Sequence, residues 1–466
     1  MSTTYAALFA AYMFLHTTTF QLGSHVGTAE LPAAQQEFLY YAHQVFIVLG
    51  FLSFAPSKRF LTEKRRRTLT ISVMSAYALG TAVLYAARGV LVSRYIASAT
   101  IFCLGYLGGL VYWRMSDGLR GSGCMGMTMG VGCAAAYALQ FLFQLWHGQT
   151  PLLPAVMLLA FAALVRRLAC EGKAGREDAA REKTPPQGRT LAVSLLCACA
   201  MTVAMIVLVT YYDGYIERMQ VSTGYGVYNA FGWPRLLLVP CNLLLGRLGD
   251  VMRGKYISVI AVFGALTVLL TPVLIGESSA YWLNLCIFYI AVAVLIFYYN
   301  LTFWRLAPRT KKPELWACMG RVLDGAVGVT LGLLHFSTLS VVKVMVVEVL
   351  MLGLLLVAFF LDMERGLPSE QRTGQAPDAA AETADDSTRA ARFAQRYALT
   401  PKETAVFREL VLTDADQQAI ADVMGIQVST LQKHCNAIYR KTGAANRIEL
   451  CRSYEAGRWD ADGQRE

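Results

Sequence analysis

Residues 190–211 read TLAVSLLCACAMTVAMIVLVTY, twenty-two positions without a charged side chain. At 1.5 Å per helical residue such a stretch reaches about 30 Å, the thickness of a bilayer's hydrocarbon core. Backbone polar groups in lipid must be satisfied within their own segment, so the stretch is expected as a helix. The residues before it, 170–189, are hydrophilic and carry Pro185-Pro186. Eleven further runs of about 18 to 24 residues share its character. With it, the twelve lie at about 5–22, 35–55, 69–87, 94–113, 122–144, 151–168, 190–211, 224–246, 256–275, 281–303, 315–336 and 339–361. The first lacks a basic lead and a small-residue cleavage site, so an anchor is expected there rather than a removed signal peptide. A chain of 466 residues that is 55% hydrophobic and 16% charged is too apolar for an ordinary soluble protein.

Charge placement orients these runs. Loops after the second, fourth, sixth, eighth and tenth carry 22 Lys and Arg, among them Lys58, Arg59, Lys64, Arg65, Arg66 and Arg67. The opposite loops carry 3, namely Arg88, Arg94 and Arg218. Cations accumulate on the cytoplasmic side of membrane proteins. Both termini are therefore expected in the cytoplasm, and a bacterial cytoplasmic membrane is the expected location. Most of the net charge of +10 is then topological and does not mark a nucleic-acid patch.

The last sixty or so residues differ in kind. Thr400, Pro401 and Glu403 form a helix start: a hydroxyl at the N-cap, Pro in the first turn, and Glu placed to complete a capping box. Val406, Leu410 and Val411 follow at helical spacing. A short second helix carries Ile420, Ala421 and Met424 and is expected to end at Gly425, with Ile426 packed inward. Residues 427–441 read as a third helix with Val428, Leu431, Cys435, Ile438 and Tyr439 on one side. The other side shows Thr430, Gln432, Lys433, Asn436, Arg440 and Lys441, a face without carboxylates that suits phosphates and base edges. Gly443 is expected to stop it, and a fourth helix spans 447–454. A short helix, a Gly turn and a basic helix make a helix-turn-helix arrangement. The alternative is a four-helix module that binds protein.

The segment resembles the LuxR-type DNA-binding domain. The resemblance rests on Leu399-Thr400 with Lys402-Glu403, Ala419-Ile420-Ala421, Ile426, Thr430-Leu431-Gln432 with His434, Ile438-Tyr439 with Lys441-Thr442, and Arg447-Ile448-Glu449-Leu450. It departs from the family pattern at Ala419, where Glu is usual, at Gln427, where Ser is usual, and at Gln432, which replaces a DNA-contacting Lys. The resemblance implies double-stranded promoter DNA as partner, read by Thr430, Gln432, Lys433, His434, Arg440, Lys441, Asn446 and Arg447. It also implies a homodimer through residues 446–454. Residues 391–466 hold 11 Lys and Arg against 10 Asp and Glu, a net of about +1, so counterion release drives one copy only weakly.

Six runs, a hydrophilic loop and six more runs is the layout of the major facilitator superfamily. Gly246-Arg247-Leu248-Gly249-Asp250 with Arg253-Gly254-Lys255 resembles that family's G-x-x-x-D-R-x-G-R-[KR] loop, with spacing off by one residue beyond Asp250. The equivalent first-half loop, 57–67, lacks the Gly and the Asp. A first half without the element that couples helices during transport favours a sensor built on a transporter-like bundle. The expected fold class is all-α: a twelve-helix transmembrane bundle arranged 6+6, plus a small four-helix domain. The expected divisions are 1–168 and 190–362 for the membrane halves, 169–189 for the central loop, 363–392 for a flexible linker, 393–460 for the DNA-binding domain and 461–466 for a tail. Within the linker, 366–389 is rich in Ala, Glu, Asp and Thr with Pro368 and Pro377 and is expected to be disordered, with a reach of roughly 25–30 Å, so a rigid push from the twelfth run is not expected to reach the last domain.

Polar residues inside apolar runs need a reason, since a charge at the bilayer centre costs about 2.5–3.5 kcal/mol. Arg321 and Asp324 stand at i, i+3 and can neutralise each other. Arg235 falls mid-run beside Trp233 and Pro234, and Glu348 lies mid-run in the twelfth. His16, Gln21, Gln140 and Gln144 complete the set. One reading is interhelical glue; the sharper one is a central cavity for an unidentified small-molecule effector. Eleven cysteines form no paired C-x-x-C, and the six His make no metal spacing, so neither a cofactor nor a catalytic role is expected. The leading expectation is a membrane-bound transcriptional regulator. An active secondary transporter with a regulatory tail is the alternative, and a scaffold is a third reading.

Overall fold

The computed structural model describes residues 2–25, 33–86, 91–145, 151–174, 188–223, 233–251, 256–275, 281–334, 341–365, 390, 392–412, 420–421, 424, 426–445 and 447–455. They are helical, with no strand among them. Two compact units divide the chain, Met1–Leu367 and Pro368–Glu466.

The first unit contains α1 (Ser2–His25), α2 (Ala33–Phe60), α3 (Glu63–Ala86), α4 (Leu91–Gly118), α5 (Met125–Leu145), α6 (Leu152–Ala174) and α7 (Gly188–Thr223). It continues with α8 (Leu238–Asp250), α9 (Ile257–Ile275), α10 (Tyr281–Leu306), the single turn α11 (Pro313–Trp316), α12 (Met319–Leu333) and α13 (Val341–Arg365). Each expected run overlaps one of these helices. Among the described residues, seven helices are long and apolar enough to cross a membrane, fewer than the twelve runs. Helices α8 and α12 are short, at 13 and 15 residues, and α9 has 19.

The largest departure from expectation is at the eighth run. Helix α8 begins at Leu238, preceded by a 3-10 turn over Trp233–Leu237, and residues 224–232 lie outside the described residues. Arg235 therefore sits in that turn at the entrance of α8, and not at mid-helix. Pro234 accounts for it, since Pro is tolerated in a first turn and breaks a helix interior.

Packing repeats within the unit. Helix α1 packs on α5 and α6, and α7 packs on α12 and α13. The two sets meet along α5 with α8 and along α2 with α12. Small residues set these approaches. A Cβ on Gly130 of α5 would collide with the Asn242 carbonyl oxygen of α8. Within the first set, a Cβ on Gly50 of α2 would collide with the Phe102 carbonyl oxygen of α4. Such contact lets backbones touch where lipid supplies no hydrophobic driving force between helices. The centre is aromatic: Trp304 of α10 takes Phe9 edge-on at 5.1 Å and Tyr112 at 5.4 Å between ring centroids.

The second unit contains α14 (Pro401–Leu412), α15 (Val428–Thr442) and α16 (Arg447–Glu455). Its core joins Phe393, Phe407, Leu410, Ile420, Leu431, Cys435, Ile438 and Leu450. Phe393 stacks on Phe407 at 4.7 Å, with Tyr454 edge-on to both. The capping box of α14 is present: the Thr400 N–H donates to Glu403 Oε2 at 2.7 Å, and the Glu403 N–H to Thr400 Oγ1 at 3.3 Å. Gly443 ends α15 with φ +73°, a left-handed conformation that glycine adopts without steric cost. Gly425, the expected end of the short second helix, lies outside the described residues. Residues 392–396 form a helical turn ahead of Thr400 that sequence reading omitted. Its signal was legible, since Ala390, Phe393, Ala394 and Tyr397 recur at helical spacing.

Candidate functional site

Arg321 lies on α12 with three partners around its guanidinium. It donates to Asp324 Oδ2 at 2.6 Å, to the Tyr299 hydroxyl at 3.0 Å and to His16 Nε2 at 2.8 Å. The i, i+3 pairing was visible in sequence; His16, 305 positions away on α1, was not. Because Arg only donates, His16 Nε2 accepts, and its ring proton sits on Nδ1. That Nδ1 is buried without a hydrogen-bond partner. The hydroxyls of Tyr12 on α1 and Tyr112 on α4 are likewise buried and unpartnered, with Tyr12 6.0 Å from both the His16 and the Tyr112 rings. The cluster spans helices of the first set (α1, α4) and the second (α10, α12). A rearrangement between the sets must break or carry the Arg321–His16 bond.

The remaining predicted residues lie around this cluster or apart from it. Gln144 Nε2 donates to Gln21 Oε1 at 3.4 Å, tying α5 to α1. Gln140 is buried with neither amide atom bonded. Arg235 stands over the Tyr137 ring at 5.5 Å. Glu348 is buried on α13. Tyr12 and Tyr112 were missed as site residues, because a Tyr in an apolar run reads as filler. A cleft lined by Ser194, Ser258, Tyr298, Arg305 and Asp362 contains none of the predicted residues.

At one end of the bundle the two sets are tied directly. Asp250, at the end of α8, accepts from the Gly126 and Met127 N–H groups at 2.7 Å each, so a carboxylate faces the positive N-terminus of α5. Arg305 donates to the Gly249 carbonyl at 2.6 Å and lies 3.6 Å from Asp250. Ser116 of α4 donates to the Trp304 carbonyl of α10 at 2.7 Å. In the first half, where the Gly and Asp of the loop motif are absent, a different contact ties the two sets. Lys58 of α2 lies 3.8 Å above the Trp113 ring and 3.7 Å from Glu314 in α11. The charges are reversed relative to Asp250, which is why a search for Gly and Asp overlooks it.

In the second unit, α15 buries Leu431, Cys435 and Ile438 and exposes Ser429, Thr430, Gln432, Lys433, Asn436 and Arg440, with His434 half-buried. Two predicted DNA-contacting cations make bonds within the unit. Lys441 Nζ donates to Glu403 Oε2 at 2.6 Å and to the Ala398 carbonyl at 3.0 Å, and Arg447 Nε donates to the Leu410 carbonyl at 2.8 Å. Asn446 lies outside the described residues. The Lys441 ammonium, helped by the Thr400 N–H, pushes the Glu403 carboxyl down to about 2. Burial raises the Cys435 thiol and the Tyr439 phenol.

Neither a protein-family model nor a curated protein matches the sequence. Among solved structures, the chain is similar to the crystal structure of the human organic anion transporter MFSD10 (TETRAN), with a TM-score of 0.54 and 16% identity. The match covers 77% of this chain and 98% of that one. At this identity the likeness is one of fold. This chain is thus a multi-pass helical membrane protein whose bundle is similar in fold to that of the transporter MFSD10.

Proposed function

We propose that the chain is a membrane-bound transcriptional regulator: its bundle, with twelve crossings, senses a small molecule, and its last unit binds promoter DNA through α15. The observation that carries this reading is the joining, in one chain, of a transporter-like bundle and a separately packed unit. That unit's α15 buries an apolar side and exposes a carboxylate-free one with Lys433 and Arg440. The resemblance to LuxR-type domains supports a helix-turn-helix reading and pairing of two copies through α16. Both termini lie in the cytoplasm of a bacterial membrane, where the 22 to 3 division of loop cations puts them. The effector site is the His16–Arg321–Asp324–Tyr299 cluster. Its buried unpartnered donors, His16 Nδ1–H and the Tyr12 and Tyr112 hydroxyls, suit a ligand with acceptor groups such as a carboxylate or carbonyl. This reading assigns a catalytic role to none of the described residues.

Footprinting tests this with the full chain in detergent on DNA flanking its own gene. Protection is expected, and Lys433→Ala with Arg440→Ala should abolish it without shifting thermal unfolding. If no fragment is protected, or the double variant protects equally well, the reading is wrong.

A second reading is secondary transport, favoured by the ties at Asp250 and at Lys58. Counterflow in proteoliposomes separates the two: a sensor binds its ligand without accumulating it, and a transporter accumulates it.

A further inference from the structure

We propose that the start of α3 and the exposed face running from it bind an anionic phospholipid. Between residues 59 and 67 stand Arg59, Lys64, Arg65, Arg66 and Arg67, with Glu63 the one acid. Among the described residues, the side chains of Lys64, Arg65 and Arg67 are exposed and make no ion pair.

The arrangement below these charges separates a lipid site from a merely solvated charge run. At about 100° per residue, Lys64, Arg67, Thr68, Ile71, Ser75 and Leu79 fall on one side of α3. All six are exposed. The opposite side buries Thr70, Tyr77, Gly80 and Leu84. One open face thus changes from cationic to apolar along its length, with Ile71 56% and Leu79 68% exposed. Water covers such a face poorly, whereas an acyl chain covers its lower part and a phosphate its first turn. The spacing fits as well. Lys64 and Ile71 are seven residues, or about 10 Å, apart, comparable with the step from headgroup to upper acyl chain. Phe60, 78% exposed with the Arg59 guanidinium 5.7 Å from its ring centre, adds an exposed aromatic beside these cations, a residue type favoured at membrane interfaces. Clusters of four or more cations beside a membrane helix draw anionic headgroups by the same electrostatics. The inference does not depend on whether the chain senses or transports.

The test is thermal unfolding of the full chain in a neutral detergent. Phosphatidylglycerol, phosphatidylcholine of the same chain length and inorganic phosphate are added separately. Phosphatidylglycerol is expected to raise the midpoint by several degrees and to saturate, with smaller shifts from phosphatidylcholine and phosphate. Lys64→Gln with Arg65→Gln and Arg67→Gln should lose more than half of the phosphatidylglycerol shift. Equal shifts from the two lipids, a full shift retained by the variant, or the same shift from phosphate alone would each overturn the proposal. Loop cations also guide insertion, so the variant can fail to reach the membrane. Native mass spectrometry of the unaltered chain in an equimolar lipid mixture then decides: preferential retention of phosphatidylglycerol supports the site, and equal retention of both lipids sinks it.

Discussion

Glu403 shows how much of the second unit hangs on one carboxylate. It closes the capping box of α14 through the Thr400 N–H and anchors Lys441 from the far end of α15. Its carboxyl is held down at about 2, so the ionised form is favoured in the folded state. The sign follows: this stabilisation is complete above the unfolded carboxyl's range, near 4.3, and fades as pH falls through 2. Glu403→Gln keeps an acceptor for the box but has no charge and does not titrate. At neutral pH the variant should be less stable by about 1–3 kcal/mol, with the difference vanishing towards pH 2. Hydrogen exchange of α15 amides in the full chain, corrected for its intrinsic pH dependence, reads this out. A pH-independent difference would mean the ion pair is not its source. The capping box was legible from local sequence because its partners are three residues apart. The bond from Lys441 to Glu403 was not, because a cation on the outer side of a helix reads the same whether it faces DNA or a neighbouring carboxylate. The same limit hid the pairing of His16 with Arg321, since the two lie on different helices.

At the level of elements, the α5–α8 seam is the best-defined closure in the bundle. Gly126, Gly130 and Gly246 bring the two backbones together, and Asp250 seals the end by capping α5. Asp250→Ala removes both charge-assisted bonds while Arg305 keeps its bond to the Gly249 carbonyl. The end of α5 should then open more often. Cys124, half-buried just before α5, reports on it, and Cys133, fully buried one helix face away, is the control for folding. Peptide-resolved alkylation should show Cys124 reacting several-fold faster in the variant with Cys133 still protected; an unchanged Cys124 rate would show that Asp250 does not hold this end. Helix positions were readable in sequence because apolar runs of bilayer length have few alternatives. Arg235 was read as mid-helix because the turn that contains Pro234 does not alter the hydrophobic pattern.

For the whole molecule, the proposed DNA reading raises the question of how a unit with so little net charge would hold a duplex. Residues 391–466 carry a net of about +1, and Lys441 and Arg447 are engaged within the fold. The outward cations of α15 are Lys433 and Arg440. One copy then neutralises about two phosphates, and a pair of copies about four. With a slope of about −0.9 per phosphate, the logarithm of affinity should fall with the logarithm of salt at about −2 for one copy and −3.5 for two. Fluorescence anisotropy of the full chain on its protected fragment, titrated across salt, gives the slope. A value near −3.5 that drops towards −2 after Arg440→Ala on both copies fits pairing with only these cations at the phosphates. A slope of −7 or steeper requires further cations at the DNA: exposed ones elsewhere in the unit, such as Lys402, or Lys441 and Arg447 after Lys441 leaves Glu403. A slope near zero removes phosphate contact altogether and leaves the unit as a module that binds protein.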